Sequence, residues 1–252
     1  MEEGMEKSRG DLFPLLDLPG FPAGKLVRKV LIVGGRPETL TVYLTALAAS
    51  LGRNVLVADG ANAFDPYVVS KFARKEGIPA EELLKKIFVA RAFTCHQLAT
   101  LIRERLEPGL TPGASSLIGL LGPCTMFFDE DVPGAEATLL FRKTLAQVQK
   151  MSQAGVAFLM SQSFSGFNSR RRLLLRELVC LADAVLKVKS SADALQVVLD
   201  KPPLALRRPW EIFEEFKKLA ISVQHSAIDF QQNRKNLILH SEFRNPHLKT
   251  ER

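Results

Sequence analysis

Gly34, Gly35 and Thr41 follow a short apolar run, Val30 to Val33, at a spacing that can do phosphate chemistry. The consensus G-x-x-x-x-G-K-[ST] overlays on 34–41 without a gap, with Gly34 at the first glycine and Thr41 at the final hydroxyl. In such a loop the backbone amides wrap a polyphosphate, the lysine sits on the β and γ phosphates, and the hydroxyl meets magnesium. Two residues this chemistry needs are replaced: Thr39 stands at the second glycine and Leu40 at the lysine. Leucine supplies no cation, and threonine puts a Cβ where the amides must close on phosphate. The outline of a nucleotide site is kept and its charge is gone. The same residues also fit an ordinary turn between a strand and a helix, and this reading starts level with the first.

A second stretch carries chemistry by its own composition. Residues 161–172 read Ser-Gln-Ser-Phe-Ser-Gly-Phe-Asn-Ser-Arg-Arg-Arg. Arg170, Arg171 and Arg172 offer cations for phosphates, and Arg176 adds another one turn later. Phe164 and Phe167 offer faces on which bases stack, and Gly166 among small polar residues gives the chain freedom. Arginines oppose the dipole at a helix start, so helix stability does not account for three in a row. A core phenylalanine beside a solvated basic helix start is the plainer account. Contact with DNA, single-stranded first, is favoured over it.

The remaining polar groups are blander. Asp129, Glu130 and Asp131 read as a solvated acidic loop in preference to a metal site. His96 is expected to be structural, and His225, His240 and His247 are too dispersed to hold a metal. Cys95, Cys124 and Cys180 show no C-x-x-C spacing, which fits reduced thiols; Cys95 and Cys180 are read as small buried residues. Ser161 and Ser163 have no His/Asp context for a nucleophilic triad. No catalytic residue and no metal site is expected.

These residues must be positioned by a regular frame. Strands are expected over 26–33, 54–58, 87–90, 117–121 and 156–160, each a short apolar run of the kind buried on both faces. Helices are expected over 39–51, 66–76, 79–86, 96–106, 138–154 and 170–182, with Gly52 and Gly77 as stops. Residues 161–169 read as a polar loop, 184–189 and 195–200 as an antiparallel edge pair, and 210–232 as a further helix. The alternation implies an α/β fold, a mostly parallel twisted sheet with helices on both faces. One domain is expected over 13–232, between a disordered tail at 1–12 and a flexible tail at 233–252.

Composition sets the class. The 252 residues are 46% hydrophobic and 24% charged, ordinary for a globular chain with a sizeable core. A net charge of +7 permits nucleic-acid binding without demanding it. No apolar run reaches the roughly 18 residues of a membrane span, and the acidic start Met1 to Lys7 does not read as a signal peptide. A cytoplasmic protein with no membrane partner is expected, nucleoid-associated if it binds DNA.

Residues 72–101 carry a more specific pattern. A helix ends at Gly77, a short helix follows, and a strand runs into Ala90, Arg91, Ala92 and Phe93, then His96 and Gln97. This resembles the core of the RecA-superfamily recombinases of archaeal and eukaryotic (RadA) type. The stretch from Leu16 to Gly24 is similar to that family's lead-in to its phosphate-loop strand, and the likeness extends over 13–200 by order of elements. The family's N-terminal helical domain and its Phe-x-x-Ala motif are not found. The resemblance implies a RecA-like P-loop domain with degenerate Walker A and Walker B motifs. It sets Leu40 at the phosphate-loop lysine, Ala61 at the catalytic glutamate of the loop 59–66, and Gly122 at the Walker B aspartate.

With those three charges missing, phosphoryl transfer is not expected. Gly34, Gly35, Arg36, Thr41, Asp59 and Gln162, the last at a nucleotide-sensing position, remain as a vestigial site where ATP would bind weakly. The family's two DNA loops fall at 128–141, followed by Arg142 at a helix start, and at 161–172. The function so implied is a catalytically inactive, DNA-binding accessory of recombination or repair. One alternative is a pseudo-ATPase interaction subunit that regulates an active recombinase or self-associates. Another is an ATP-binding protein with a non-standard site at Arg36, Thr41, Asp59 and Gln162.

Overall fold

Alternating side chains build the frame. Val30 and Ile32 point to one side of the first strand while Leu31 and Val33 point to the other, and all four are buried. The computed structural model describes residues 27–110, 116–129, 131–163, 169–190 and 195–201. The expected tails, the helix 210–232, Phe164 and Phe167 lie outside the described residues.

The elements run β1 (Lys29–Gly34), α1 (Pro37–Ser50), β2 (Asn54–Asp59), α2 (Pro66–Lys75), α3 (Ala80–Leu84), β3 (Ile87–Arg91) and α4 (Cys95–Thr100). They continue with β4 (Ser116–Leu121), α5 (Gly134–Gln153), β5 (Ala157–Ser163), α6 (Ser169–Leu181), β6 (Ala184–Ser190) and β7 (Leu195–Lys201). One seven-stranded sheet has the order β3-β2-β4-β5-β1-β6-β7. Every pair is parallel except β6 with β7. The fold is therefore α/β with a mostly parallel sheet.

Helices cover both faces. On one face α1, α2 and α3 pack on Val30, Ile32, Val55, Val57, Leu117 and Leu159, with Tyr43 edge-on to Phe72 at 5.2 Å. On the other, α4, α5 and α6 cover Leu31, Val33, Ile118, Leu120, Phe158 and Met160, with Phe127 edge-on to Phe141 at 5.0 Å.

Several boundaries differ from the sequence reading. The first helix starts at Pro37, not at 39, because proline suits the first helical position and Arg36 makes the entry turn in the left-handed region. The helix expected at 138 starts at Gly134, so Arg142 lies mid-helix and not at a helix start. The last core strand runs on to Ser163, since Ser161 and Gln162 are buried in the sheet. The helix expected over 96–106 divides into α4 and a π turn, Leu101–Arg105, where the Leu106 N–H donates to the Leu101 carbonyl at 3.0 Å. The pair of strands read as an edge is half so: β7 is the edge, but β6 lies inside the sheet against β1.

The amino ends of the strands are clipped by one side chain. Asp183 accepts the Arg28 and Lys29 amides at 3.0 and 2.9 Å and pairs with the Lys29 ammonium at 2.9 Å. Its own amide donates to the Lys29 carbonyl at 2.8 Å, and the Lys29 ammonium also reaches the Ser152 hydroxyl at 3.4 Å. The clip joins the start of β1 to the end of α5 and the start of β6. Lys29 is 8% exposed and Asp183 25%, so truncating the acid strands a nearly buried ammonium and two amides. Asp183→Ala should lower the unfolding free energy in urea melts by about 3 kcal/mol. A loss under about 1 kcal/mol would place the clip among ordinary surface pairs.

Candidate functional site

The crevice follows from where the chain goes after each strand. From β1 it passes to α1 on one face, and from the adjacent β5 to α6 on the other. Neighbouring strands whose connections part in this way leave a crevice at their carboxyl ends, the usual ligand position of an open α/β sheet. The same divergence occurs between β2 and β4.

The β1 side of this crevice is narrow. Only Gly35 and Arg36 separate the strand from the helix. Gly34 has φ +119°, and a Cβ there would fall 2.1 Å from the Val188 carbonyl, so β6 requires the glycine. Gly35 donates to that same carbonyl at 3.1 Å. Arg36 is exposed at φ 52° and caps α1 with no side-chain bond. Leu40 is buried in the core. The Thr41 hydroxyl is buried and donates to the Pro37 carbonyl at 3.0 Å, inside the helix.

The β2 side is held by Asp59, which is fully buried. One of its oxygens accepts the Ala61 and Ala63 amides at 3.2 and 3.0 Å, and the other accepts Phe64 at 3.0 Å. The Arg91 guanidinium lies 3.4 Å from the second oxygen and donates to the Phe64 carbonyl at 3.2 Å. This wraps the loop 59–64 around one carboxylate and sets Ala61 against β4. A Cβ on Gly122, at φ +61°, would fall 2.5 Å from the Ala61 Cβ and 2.6 Å from the Thr125 hydroxyl. The positions matched to the catalytic glutamate and the Walker B aspartate are thus packed on each other, with no space for a carboxylate at 122.

Gln162 closes the other side. Its carbonyl accepts the Cys124 amide at 2.9 Å, and its amide donates to the Thr125 hydroxyl at 3.3 Å and the Ser163 carbonyl at 3.4 Å. Gly34, Gly35, Arg36, Asp59 and Gln162 all border the carboxyl edge. The polar atoms of Asp59, Gln162 and Thr41 already have partners within the chain.

Sequence reasoning missed Glu38. It lies half-buried in the first turn of α1, with its own backbone amide and that of Ser163 near it. Burial, with the Asp59 charge adding to it, holds this carboxyl above the usual carboxylate range, although the two amides pull it down. Pro37 followed by an acid is a helix-start signal, and it was available in the sequence.

The arginine-rich stretch lies at the same edge. Arg170, Arg171 and Arg172 fall in the first turn of α6, and Arg176 is exposed on its second. Arg142 on α5 is 58% exposed and donates through two nitrogens to one Glu177 oxygen at 2.9 and 2.7 Å. His96 approaches Glu136 at 3.4 Å, tying α4 to α5. Cys95 is buried, but Cys180 is exposed: Leu174, Leu178 and Ala182 face the core at four-residue spacing, which turns 180 outward. Asp129 accepts the Asp131 amide at 3.1 Å. Among the described residues no group of three or more His, Cys, Asp or Glu side chains is assembled for a metal, and no helix is long and apolar enough to cross a membrane. No protein-family model matches the chain, and no curated protein matches it either.

Two outcomes follow from this geometry. Gly122→Asp combines a left-handed backbone with an overlap at Ala61 and should cost about 3 kcal/mol or more in denaturant melts. Leu40→Lys, Ala61→Glu and Gly122→Asp together should not give ATP hydrolysis, and turnover by that triple variant would refute the closed geometry. Glu38→Gln has the opposite sign. A carboxyl with a raised folded-state pKa contributes stability at low pH that is lost as pH rises through that pKa. The variant should melt higher than the parent at about pH 7, with the gain gone near about pH 4.

Proposed function

We propose that this chain is a RecA-like protein without phosphoryl-transfer chemistry that binds single-stranded DNA as an accessory of recombination or repair. The observation that carries the reading is the placement of Arg170, Arg171 and Arg172. They open α6 at the carboxyl edge, directly beyond the central strand β5, where the helix dipole opposes them. Cations set against the dipole are accounted for by an anion outside the fold, and a phosphodiester backbone is the anion that matches a row of them. Arg176 extends the row along the helix. The packing of Ala61 on Gly122 and the burial of Leu40 support the absence of hydrolysis. The internal partners of Thr41, Asp59 and Gln162 argue against an unusual ATP site.

A second reading, an interaction subunit that docks on another protein, draws on the opposite end of the sheet. β3 is an edge strand, and Phe88 and Phe93 there are 60% and 67% exposed. The two readings part in one experiment, fluorescence anisotropy of labelled single-stranded DNA over a salt series, with and without Mg-ATP. DNA binding should weaken steeply with salt and ignore Mg-ATP. Replacing Arg170, Arg171 and Arg172 by alanine should lower the log-log salt slope by about 2, at roughly 0.7 per phosphate contact. An unchanged slope in the triple variant would remove the arginine row from the interface. No binding at low salt would move the assignment to the protein-docking surface.

A further inference from the structure

The seam between α5 and α6 leads away from the arginine-rich opening turn. Each helix runs from the carboxyl end of one parallel strand to the amino end of the next, α5 from β4 to β5 and α6 from β5 to β6. The two therefore run in the same direction, with their first turns at the carboxyl edge. Arg142 and Glu177 meet across the seam and mark one level of it. Leu139 comes three residues before Arg142 and Leu173 four before Glu177, so both lie one turn nearer the edge. These leucines are 57% and 44% exposed, and among the described residues they are the large exposed apolar side chains of α5 and α6. From the edge downward the seam thus passes residues 170–172, two open leucines and then the guanidinium of Arg142. Arg176, next to Glu177, is exposed as well.

The form of the ion pair gives Arg142 a direction. Its Nε and Nη2 both donate to one Glu177 oxygen, at 2.9 and 2.7 Å. These nitrogens form one edge of the planar guanidinium, so Nη1 and the second Nη2 hydrogen point away from the carboxylate. Glu177 is 21% exposed and Arg142 58%, which sets the acid beneath and the guanidinium over it. An exposed pair of this kind adds little to stability. It does order a long side chain in advance, with donors aimed outward. A docked protein helix needs apolar anchors over several turns, and the seam has them at one level before the charged pair interrupts it. A nucleic-acid strand alternates charged phosphates with bases whose faces are apolar, and the seam alternates in the same way.

We propose that the α5–α6 seam continues the single-stranded DNA path, with Leu139 and Leu173 under the bases and Glu177 as the positioning residue that aims Arg142 at a phosphate. This rests on the DNA reading above.

Fluorescence anisotropy of labelled single-stranded DNA with the full chain, over a salt series, tests it. Arg142→Gln should lower the log-log salt slope by about 0.7, one phosphate contact. Arg142→Lys should keep the slope and lose affinity, because an ammonium keeps the charge without the fork. Leu139→Ser with Leu173→Ser should weaken binding and leave the slope alone. Glu177→Ala removes a negative charge, which by repulsion alone would tighten binding. Loss of the aimed guanidinium should instead weaken it about threefold to tenfold, the effect of ordering one long side chain. In an Arg142→Gln background the same change should tighten binding. Should alanine loosen the helices, Glu177→Leu keeps the packing and gives the same reading. An unchanged slope in Arg142→Gln, tighter binding by Glu177→Ala, or a leucine variant that binds like the parent each overturn the proposal. If the parent binds and only the Arg170, Arg171 and Arg172 triple variant changes the slope, the DNA reading stands and the seam falls. A parent that does not bind at low salt removes both.

Discussion

The carboxyl edge of this sheet is organised by one buried carboxylate. Asp59 is buried with three amides and Arg91 around it, because an unpaired buried charge carries a penalty of several kcal/mol. Meeting that need bends residues 59–64 back over the strand ends and presses Ala61 onto Gly122. The contact in turn seats the Thr125 hydroxyl, which takes the Gln162 amide, whose carbonyl takes the Cys124 amide. A chain of satisfied polar groups thereby runs from β2 through β4 to β5. Each link is closed, so the network rigidifies the edge.

The other wall obeys a steric constraint. With β6 beside β1, the Val188 carbonyl occupies the space any side chain at 34 would need, and it also takes the Gly35 amide. The chain must then turn within two residues, and Arg36 accepts a left-handed conformation to do so. A turn this short cannot curl around a polyphosphate. The leucine at the position matched to the loop lysine and the tightness of the turn are thus two aspects of one arrangement: Leu40, one turn into a helix that has already begun, points into the core.

Much of the frame was legible because burial on both faces leaves a plain mark. The runs at 30–33, 54–58 and 117–121 are strands for the reason they read as strands. What failed was imposed by a template. Overlaying a phosphate loop on 34–41 hid the Pro37 start signal and with it Glu38, the one acid that reaches the crevice from α1. Arg36 gave no warning, since few non-glycine residues adopt positive φ. Ser161 and Gln162 read as loop because polar residues at a strand end look solvated in sequence; the closed network explains the burial of Gln162, while the Ser161 hydroxyl is buried without a partner. Cys180 was recoverable: counting by fours from Leu174 turns it away from the core.

The distribution of charge then decides how a polyanion can approach. Asp59 lies buried in the crevice, held by three backbone amides, and Glu38 is half-buried at the start of α1. At the same edge Arg36 is exposed, and residues 170–172 form the opening turn of α6. A nucleotide must enter a crevice to be gripped, and here it would meet carboxylates at close range with its amides already taken. A strand backbone makes no such demand. Under the proposed reading, its phosphates cross the rim and meet arginines one by one, away from the buried acids and their partners.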